Sequence, residues 1–372
     1  MGAVVRAATP PTPPRADLER IWPYVPGRHR TEILREYGVR DVLKLASNEN
    51  PVGPSPRAVA ALAGLGAQAH QYPDSQAVAL RAALGDRHGV SAEQIVIGNG
   101  SVECIDLVAR AFLRPEDQAI VGFPSFPRFQ IACQVVGCGA VVVPHRDWRF
   151  DLDGMTAAIS HSTRVVFVDN PCNPVGTHIG PAELATFLDR IPPEVLVVLD
   201  EAYHEFVPAE RLLSDEIDRI KNGHNLVVLR TFSKAHGLAG LRIGYAIARP
   251  ETARAMNRVR EAFNAGVYAQ AGALAAIDDD EHVRDVVELV STERNWLAGE
   301  LARLGFSTIP SETNFLFTQL GSRAEALNQG LLECGIIIRP MVAPGIETWA
   351  RISIPDRSGG QRLITALEEL VA

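Results

Sequence analysis

The stretch Leu229-Arg230-Thr231-Phe232-Ser233-Lys234-Ala235-His236-Gly237-Leu238-Ala239-Gly240-Leu241-Arg242-Ile243-Gly244 decides the fold. It continues an apolar run, Asn225-Leu226-Val227-Val228-Leu229, whose length and branching are those of a buried strand. The run empties into a Thr/Ser-rich turn with one lysine, and Arg242 follows eight positions later in a glycine-spaced segment. A lysine just beyond the carboxyl end of a parallel strand sits where open α/β sheets bind their ligands. Hydroxyls and an arginine around it suit a phosphate, and its amine suits a carbonyl. A lone Ser-Lys pair in a loop is more often a solvated lysine, so the rest of the chain has to decide.

The bulk composition narrows the field. A chain of 372 residues, 47% hydrophobic and 22% charged, has an ordinary globular balance and room for two or three domains. A net charge of −8 argues against nucleic acid or an anionic membrane as partner. No apolar run is long enough to span a bilayer, and the N-terminus lacks a signal-peptide pattern. Cys104, Cys133, Cys138, Cys172 and Cys334 are odd in number and scattered, which suits core thiols in a reducing cytoplasm better than disulfides or a metal site.

Residues 1–16 are Pro/Ala/Thr-rich and read as a disordered tail. An aromatic, Pro-punctuated arm follows, with a short helix over 30–37 and a strand at Leu43-Lys44-Leu45-Ala46. Helices are expected over Pro56–Leu65 and from about Ser75 to His88. Strands over 94–97, 118–121, 140–143, 164–168 and 195–199 then alternate with helical patterns, and a return strand covers 243–247. Repeated strand–helix units with apolar strands predict a mainly parallel, doubly wound sheet. Beyond Gly244, long helices (251–263, and 269–304 broken near Asp278-Asp279-Asp280) and short strands at 314–317, 335–339 and 350–354 predict a smaller α/β domain, closed by a helix over 361–371.

Loops at the carboxyl ends of these strands offer a set of complementary groups. Gly98-Asn99-Gly100-Ser101 opens a helix whose backbone N–H groups can receive a phosphate. Asp200 can pair with a protonated pyridine nitrogen, Tyr203 and Asn173 with a ring hydroxyl, and Phe126 can stack on the ring face. Each has a plainer reading: packing turn, helix cap, core aromatic. Together they meet the separate needs of pyridoxal phosphate, which proteins hold as a Schiff base with lysine.

The chain resembles the histidinol-phosphate aminotransferase family of class I/II, fold-type I, pyridoxal 5'-phosphate-dependent enzymes, from about Trp22 to the C-terminus. The motifs that carry the resemblance are Tyr24-Val25-Pro26-Gly27, Lys44-Leu45-Ala46-Ser47-Asn48-Glu49-Asn50-Pro51, Gln71-Tyr72-Pro73-Asp74, Asn170-Pro171-Cys172-Asn173-Pro174-Val175-Gly176, Asp200-Glu201-Ala202-Tyr203, Thr231-Phe232-Ser233-Lys234-Ala235, Gly240-Leu241-Arg242-Ile243-Gly244 and Ile338-Arg339-Pro340-Met341. The resemblance implies an arm over 17–46 packing on the small domain or a partner, a large cofactor domain over 47–262 and a small domain over 263–372.

It further implies that Lys234 binds the cofactor and later moves the substrate proton, while Asp200 meets the ring nitrogen and Asn173 and Tyr203 the 3-oxygen. Gly100, Ser101, Val102, Ser233 and Arg242 surround the phosphate. Tyr72 reaches the phosphate of a neighbouring subunit, so the expected assembly is a homodimer with shared sites. Arg351 takes an acidic group of the substrate, with Asn48 beside it, and Arg339 and the partner-supplied Tyr24 read a substrate phosphate. No metal is implied. Phe126, Val102, His236, Cys172 and Val175 depart from the residues common in that family, and the motif around Arg351 is looser.

The expected reaction converts histidinol phosphate and 2-oxoglutarate into imidazole acetol phosphate and glutamate, in histidine biosynthesis. An aromatic amino-acid or secondary-metabolism aminotransferase is the alternative, followed by a pyridoxal phosphate-dependent decarboxylase.

Overall fold

The structure, a computed structural model, describes residues 15–372 apart from 22, 24, 25 and 214. The arm contains β1 (Leu43–Lys44). The large sheet is built from β2 (Ile95–Gly98), β3 (Gln118–Phe123), β4 (Gly139–Pro144), β5 (Thr163–Asp169), β6 (Leu196–Asp200), β7 (Leu226–Thr231) and β8 (Gly244–Ile247). The C-terminal part adds β9 (Ser307–Ile309), β10 (Phe315–Gln319), β11 (Ile336–Ile337), β12 (Arg339–Pro340) and β13 (Trp349–Ser353).

Strict alternation along the central strands explains the large sheet. Val166, Val168, Val197, Leu199, Leu226 and Val228 face one apolar layer. Their neighbours Val165, Phe167, Leu196, Val198, Val227 and Leu229 face the other. Strands covered on both faces are apolar through their middles, as these are, with polar residues near their ends. The strand order is β2-β8-β7-β6-β5-β3-β4, parallel except for β8, which runs against both neighbours. Helices Val78–His88, Pro181–Arg190 and Val267–Ala276 cover the first face. Helices Ser101–Phe112, Arg128–Val135 and Pro250–Val259 cover the second.

The second core is built on the antiparallel sheet β12-β13-β10-β9. Helices Asp280–Arg303 and Arg357–Val371 bury Leu297, Leu301, Leu363 and Leu367 against it. The arm joins this side: β1 pairs in parallel with β11, and Ile33, Val42 and Ala46 pack with Leu332 and Ile337.

The expected helix over 269–304 is interrupted at Ile277-Asp278-Asp279, where the acidic run falls. Its first half packs with the large sheet through Ala269, Ala273 and Ala276. Small alanine side chains let this half lie close to the large sheet, while the following helix Asp280–Arg303 packs in the second core. The strand expected over 335–339 is two pairings in different sheets, since Ile336–Ile337 joins the arm and Arg339–Pro340 joins β13. Residues 1–14 of the expected tail lie outside the described residues. The chain is already anchored at Arg15, whose Nη2 donates to Val135 O at 3.1 Å, ahead of a 3₁₀ turn over Ala16–Arg20.

The lysine loop docks through one glycine. Gly237 has φ +70°, and a Cβ there would lie 2.2 Å from Gly53 O. Gly237→Ala is expected to cost about 1–3 kcal/mol and lower Tm measurably. Gly240→Ala is the control: no atom lies within 4 Å of the added methyl, so Tm should hold to about a degree.

Candidate active site

The carboxyl ends of β5, β6 and β7 open on a cleft of about 270 Å³. It is lined by Ser101, Val102, Phe126, Asn173, Asp200, Tyr203, Ser233, Lys234, Arg242, Asn48 and Arg351, among others. Of the residues expected around the cofactor, the cleft thus collects all but Gly100 and Tyr72. Gly100 sits immediately behind it. Its φ is +76°, and a Cβ would meet Arg242 Nη2 at 2.3 Å, so glycine lets the guanidinium lie against the helix start.

Burial governs the electrostatics at the lysine. The Lys234 amine donates to Ser47 O at 3.3 Å and Asn48 O at 3.4 Å. Loss of water, with Arg351 nearby as a second cause, pushes it down to about 7. At neutral pH much of this amine is therefore uncharged and nucleophilic. Asp200 is pushed up to about 7, first by burial and then by the neighbouring Asp169 carboxylate. One of its oxygens accepts Ala202 N–H at 3.1 Å, a local turn contact, and the helix that follows at His204–Phe206 is not capped by it.

Tyr203 OH stands between two amides: Asn48 Nδ2 donates to it at 2.8 Å and Asn173 Nδ2 at 3.3 Å. Asn48 is buried with φ +54°, a left-handed conformation that asparagine tolerates. Its N–H donates to Ser353 Oγ at 2.8 Å, tying the loop that follows the arm to β13. From β13, Arg351 Nη1 donates to Asn173 Oδ1 at 2.7 Å and Nη2 to Ala46 O at 2.8 Å. This arginine enters the cleft from the second core and meets the first core there.

The phosphate end is a separate construction. The helix Ser101–Phe112 starts at Gly100 with no side-chain cap, leaving first-turn N–H groups for an anion. Arg242 Nη1 donates to Ser233 Oγ at 3.4 Å, and Thr231 Oγ1 donates to Ser233 Oγ at 3.0 Å. Gly244 lies so close behind that a Cβ would meet Ser101 N at 2.4 Å. Cation, hydroxyls and an uncapped helix end in one corner, a buried lysine beside them and a strand-end carboxyl across the cleft fit pyridoxal phosphate. Among the described residues no group of three or more His, Cys, Asp or Glu is arranged to hold a metal.

Two expected residues, Tyr72 and Arg339, stand elsewhere. Tyr72 is 82% exposed and stacks on Phe263 with 4.6 Å between ring centroids, outside the cleft of its own chain. Arg339 lies opposite Arg351 in the β12–β13 register but does not line the cleft. Tyr24 lies outside the described residues. Of the departures from the resembled pattern, Val102 and Phe126 line the cleft. Cys172 and Val175 are fully buried in the core, and His236 turns toward Glu205.

Sequence reasoning passed over Ser47, Glu49, Thr231 and, above all, Asp169, which also line the cleft. Asp169 ends β5 as Asp200 ends β6, and the two are register partners. The criterion that selected Asp200, an acidic residue closing a buried parallel strand, would have selected it too.

The two titrations lead to expected outcomes. Uptake of pyridoxal phosphate by cofactor-free protein should accelerate through a midpoint near pH 7 and level off by about pH 9, as followed by absorbance. A rate still climbing at pH 10 would mean an ordinary lysine. For Asp200, the folded carboxyl binds its proton more tightly than the unfolded one, whose value is near 3.8. Ionisation therefore opposes folding, fully above pH 7 and progressively less as pH falls toward 4. In cofactor-free protein, Asp200→Asn should raise Tm by roughly 2–5 °C at pH 8 and by less at pH 5.

The family model for aminotransferase class I and II matches residues 40–367. The histidinol-phosphate aminotransferase of Moorella thermoacetica is 43% identical over 96% of this chain and 93% of that protein. Histidinol-phosphate aminotransferase 1 of Thiobacillus denitrificans is 43% identical over 98% of this chain and 94% of its own length. Among solved structures, histidinol-phosphate aminotransferase from Sinorhizobium meliloti in complex with pyridoxal-5'-phosphate superposes with a TM-score of 0.89 at 29% identity, covering 96% of this chain and 97% of that one. The chain belongs to the class I and II aminotransferases and, within them, to the histidinol-phosphate aminotransferase family.

Proposed function

We propose that the protein is a pyridoxal phosphate-dependent aminotransferase that moves the amino group of histidinol phosphate to 2-oxoglutarate. One observation carries this reading: a buried Lys234 amine pushed down to about 7 shares its cleft with an anion-binding corner, a strand-end carboxyl and Arg351. When bound, the cofactor supplies an aldehyde that takes up amino groups and a ring that withdraws electrons from the adjacent carbon.

The chain's own residues do the rest. Lys234 would hold the cofactor through its amine, and that amine would also hold and move the substrate proton, a task suited to a base near neutrality. Asp200, beside Asp169, raises the local affinity for a proton at the ring nitrogen. Tyr203 and Asn173 present a hydroxyl and an amide to the ring oxygen. Ser101, Val102, Ser233 and Arg242 anchor the phosphate and so fix where the reacting carbon lies relative to Lys234. Arg351, held by Asn173 and Ala46, offers a bidentate fork to the acidic group of the acceptor.

The histidinol phosphate donor is favoured over aromatic amino acids because the relatives matching nearly the whole chain carry that name. Of the departures from the resembled pattern, Cys172, Val175 and His236 do not line the cleft, whereas Val102 and Phe126 do. Arg339 and Tyr24 are the residues proposed to read the donor's phosphate. The assembly proposed is a homodimer: Tyr72 and Phe263 form an exposed stacked pair from which Tyr72 would reach a partner's site.

The test is to load the protein with pyridoxal phosphate and follow the cofactor absorbance on adding histidinol phosphate, phenylalanine, tyrosine or glutamate. Histidinol phosphate should discharge the band at the lowest concentration, and 2-oxoglutarate should restore it. A higher kcat/KM for phenylalanine or tyrosine would move the assignment to an aromatic aminotransferase. Release of CO₂ without an acceptor would move it to a decarboxylase. Lys234→Ala should show no turnover.

A further inference from the structure

Asp169 is a carboxylate of the cleft to which the mechanism above gives only a background effect. It is buried, and its two oxygens are both engaged. Oδ2 accepts the Asn173 N–H at 2.6 Å, and Oδ1 accepts the Ser125 hydroxyl at 2.9 Å. The first link is local and would by itself be a turn-closing contact. The second spans 44 residues, to the loop that carries Phe126. A second tie joins the same two loops: Cys172 Sγ donates to Pro124 O at 3.4 Å.

What hangs from these loops gives the links their meaning. The Ser125 loop presents Phe126 to the cleft. Asn173 donates its side-chain amide to Tyr203 OH and accepts Arg351 Nη1 at 2.7 Å. A connected chain of contacts therefore runs Phe126 loop, Ser125, Asp169, Asn173, Arg351. We propose that Asp169 is a positioning residue that locks the ring-stacking face of the cleft to the arginine that takes the acceptor's acidic group. A displacement of Asn173 would remove one of the two contacts described for each of Tyr203 OH and Arg351, so loosening this link disturbs cofactor orientation and acceptor binding together.

The alternative roles make different demands. A purely structural turn residue affects stability and leaves the loaded site alone. A residue acting by its charge is damaged equally by any neutral replacement. Asparagine can preserve both links without charge, its oxygen accepting the Asn173 N–H and its amide donating to the Ser125 oxygen. Alanine preserves neither.

The inference rests on the cofactor reading of the cleft, and its test separates the two. Asp169→Ala, Asp169→Asn and Ser125→Ala are loaded with pyridoxal phosphate beside the unsubstituted protein. Visible circular dichroism of the bound cofactor reports ring orientation, and steady-state kinetics give KM and kcat for 2-oxoglutarate. Asp169→Ala and Ser125→Ala should each weaken the dichroic band and raise KM, the former by about tenfold, with kcat changing less. Asp169→Asn should restore both to within roughly twofold of the unsubstituted protein. An unchanged band and KM in Ser125→Ala would overturn the proposal, also where Asp169→Ala does not fold. So would an Asp169→Asn protein as impaired as Asp169→Ala. Failure of the unsubstituted protein to bind pyridoxal phosphate would instead overturn the cofactor reading itself.

Discussion

Removal of water from the Lys234 amine is the constraint around which the molecule is arranged. An amine moved from 10.5 to about 7 has lost on the order of several kcal/mol of stabilisation of its charged form. Its hydrogen bonds go to two carbonyls, and Arg351 and Arg242 disfavour its charge while Glu49 and Asp200 only partly offset them. Asp169 and Asp200 are strained in the opposite sense, both pushed up to about 7 chiefly by burial. These are groups kept reactive at the expense of stability, and the rest of the fold has to hold them in place.

Part of that support lies on the other face of the lysine strand. Alternation along β7 sends Leu229 into the apolar layer and Arg230 to the opposite side. There Arg230 donates through Nε at 3.0 Å and Nη2 at 2.7 Å to one Glu201 oxygen, and Nη2 reaches Glu216 at 3.4 Å. Glu201 directly follows Asp200, so this buried ion pair joins the end of β6 to the end of β7. Removing one partner from such a pair typically costs about 3–5 kcal/mol, because the other charge is left buried alone. Rigidity at the strand ends follows from it, and the lysine turn starts from a fixed base.

The second support is the meeting of the two cores. Trp148 from the large domain packs against Trp349 and Phe317, with centroids 4.5 and 5.4 Å away. Asn48 bonds to Ser353, and Arg351 bonds to Asn173 and Ala46. Arm, large sheet and small sheet therefore converge where an acidic substrate group would lie. Binding that group would act on the contact between domains as well as on the site itself.

The sequence by itself determined the doubly wound sheet and which residues meet in the cleft at its edge. Strands buried on both faces leave an unbroken apolar signature, and parallel topology brings their carboxyl ends to one edge, so Asp200, Asn173, Tyr203, Ser233, Lys234 and Arg242 were legible from position alone. The resemblance to known aminotransferases supplied Arg351 and Asn48, whose isolated motifs have no local periodicity to mark them. Only the tertiary structure decided where the two cores part, because the alanine-faced helix Val267–Ala276 carries a helical pattern that suits either domain. It alone decided the partners of Asp169 as well. Spacing along the chain says that an acidic residue closes a strand; it cannot say that Ser125, 44 residues earlier, donates to that carboxylate, since the link depends on how β3 and β5 are stacked side by side.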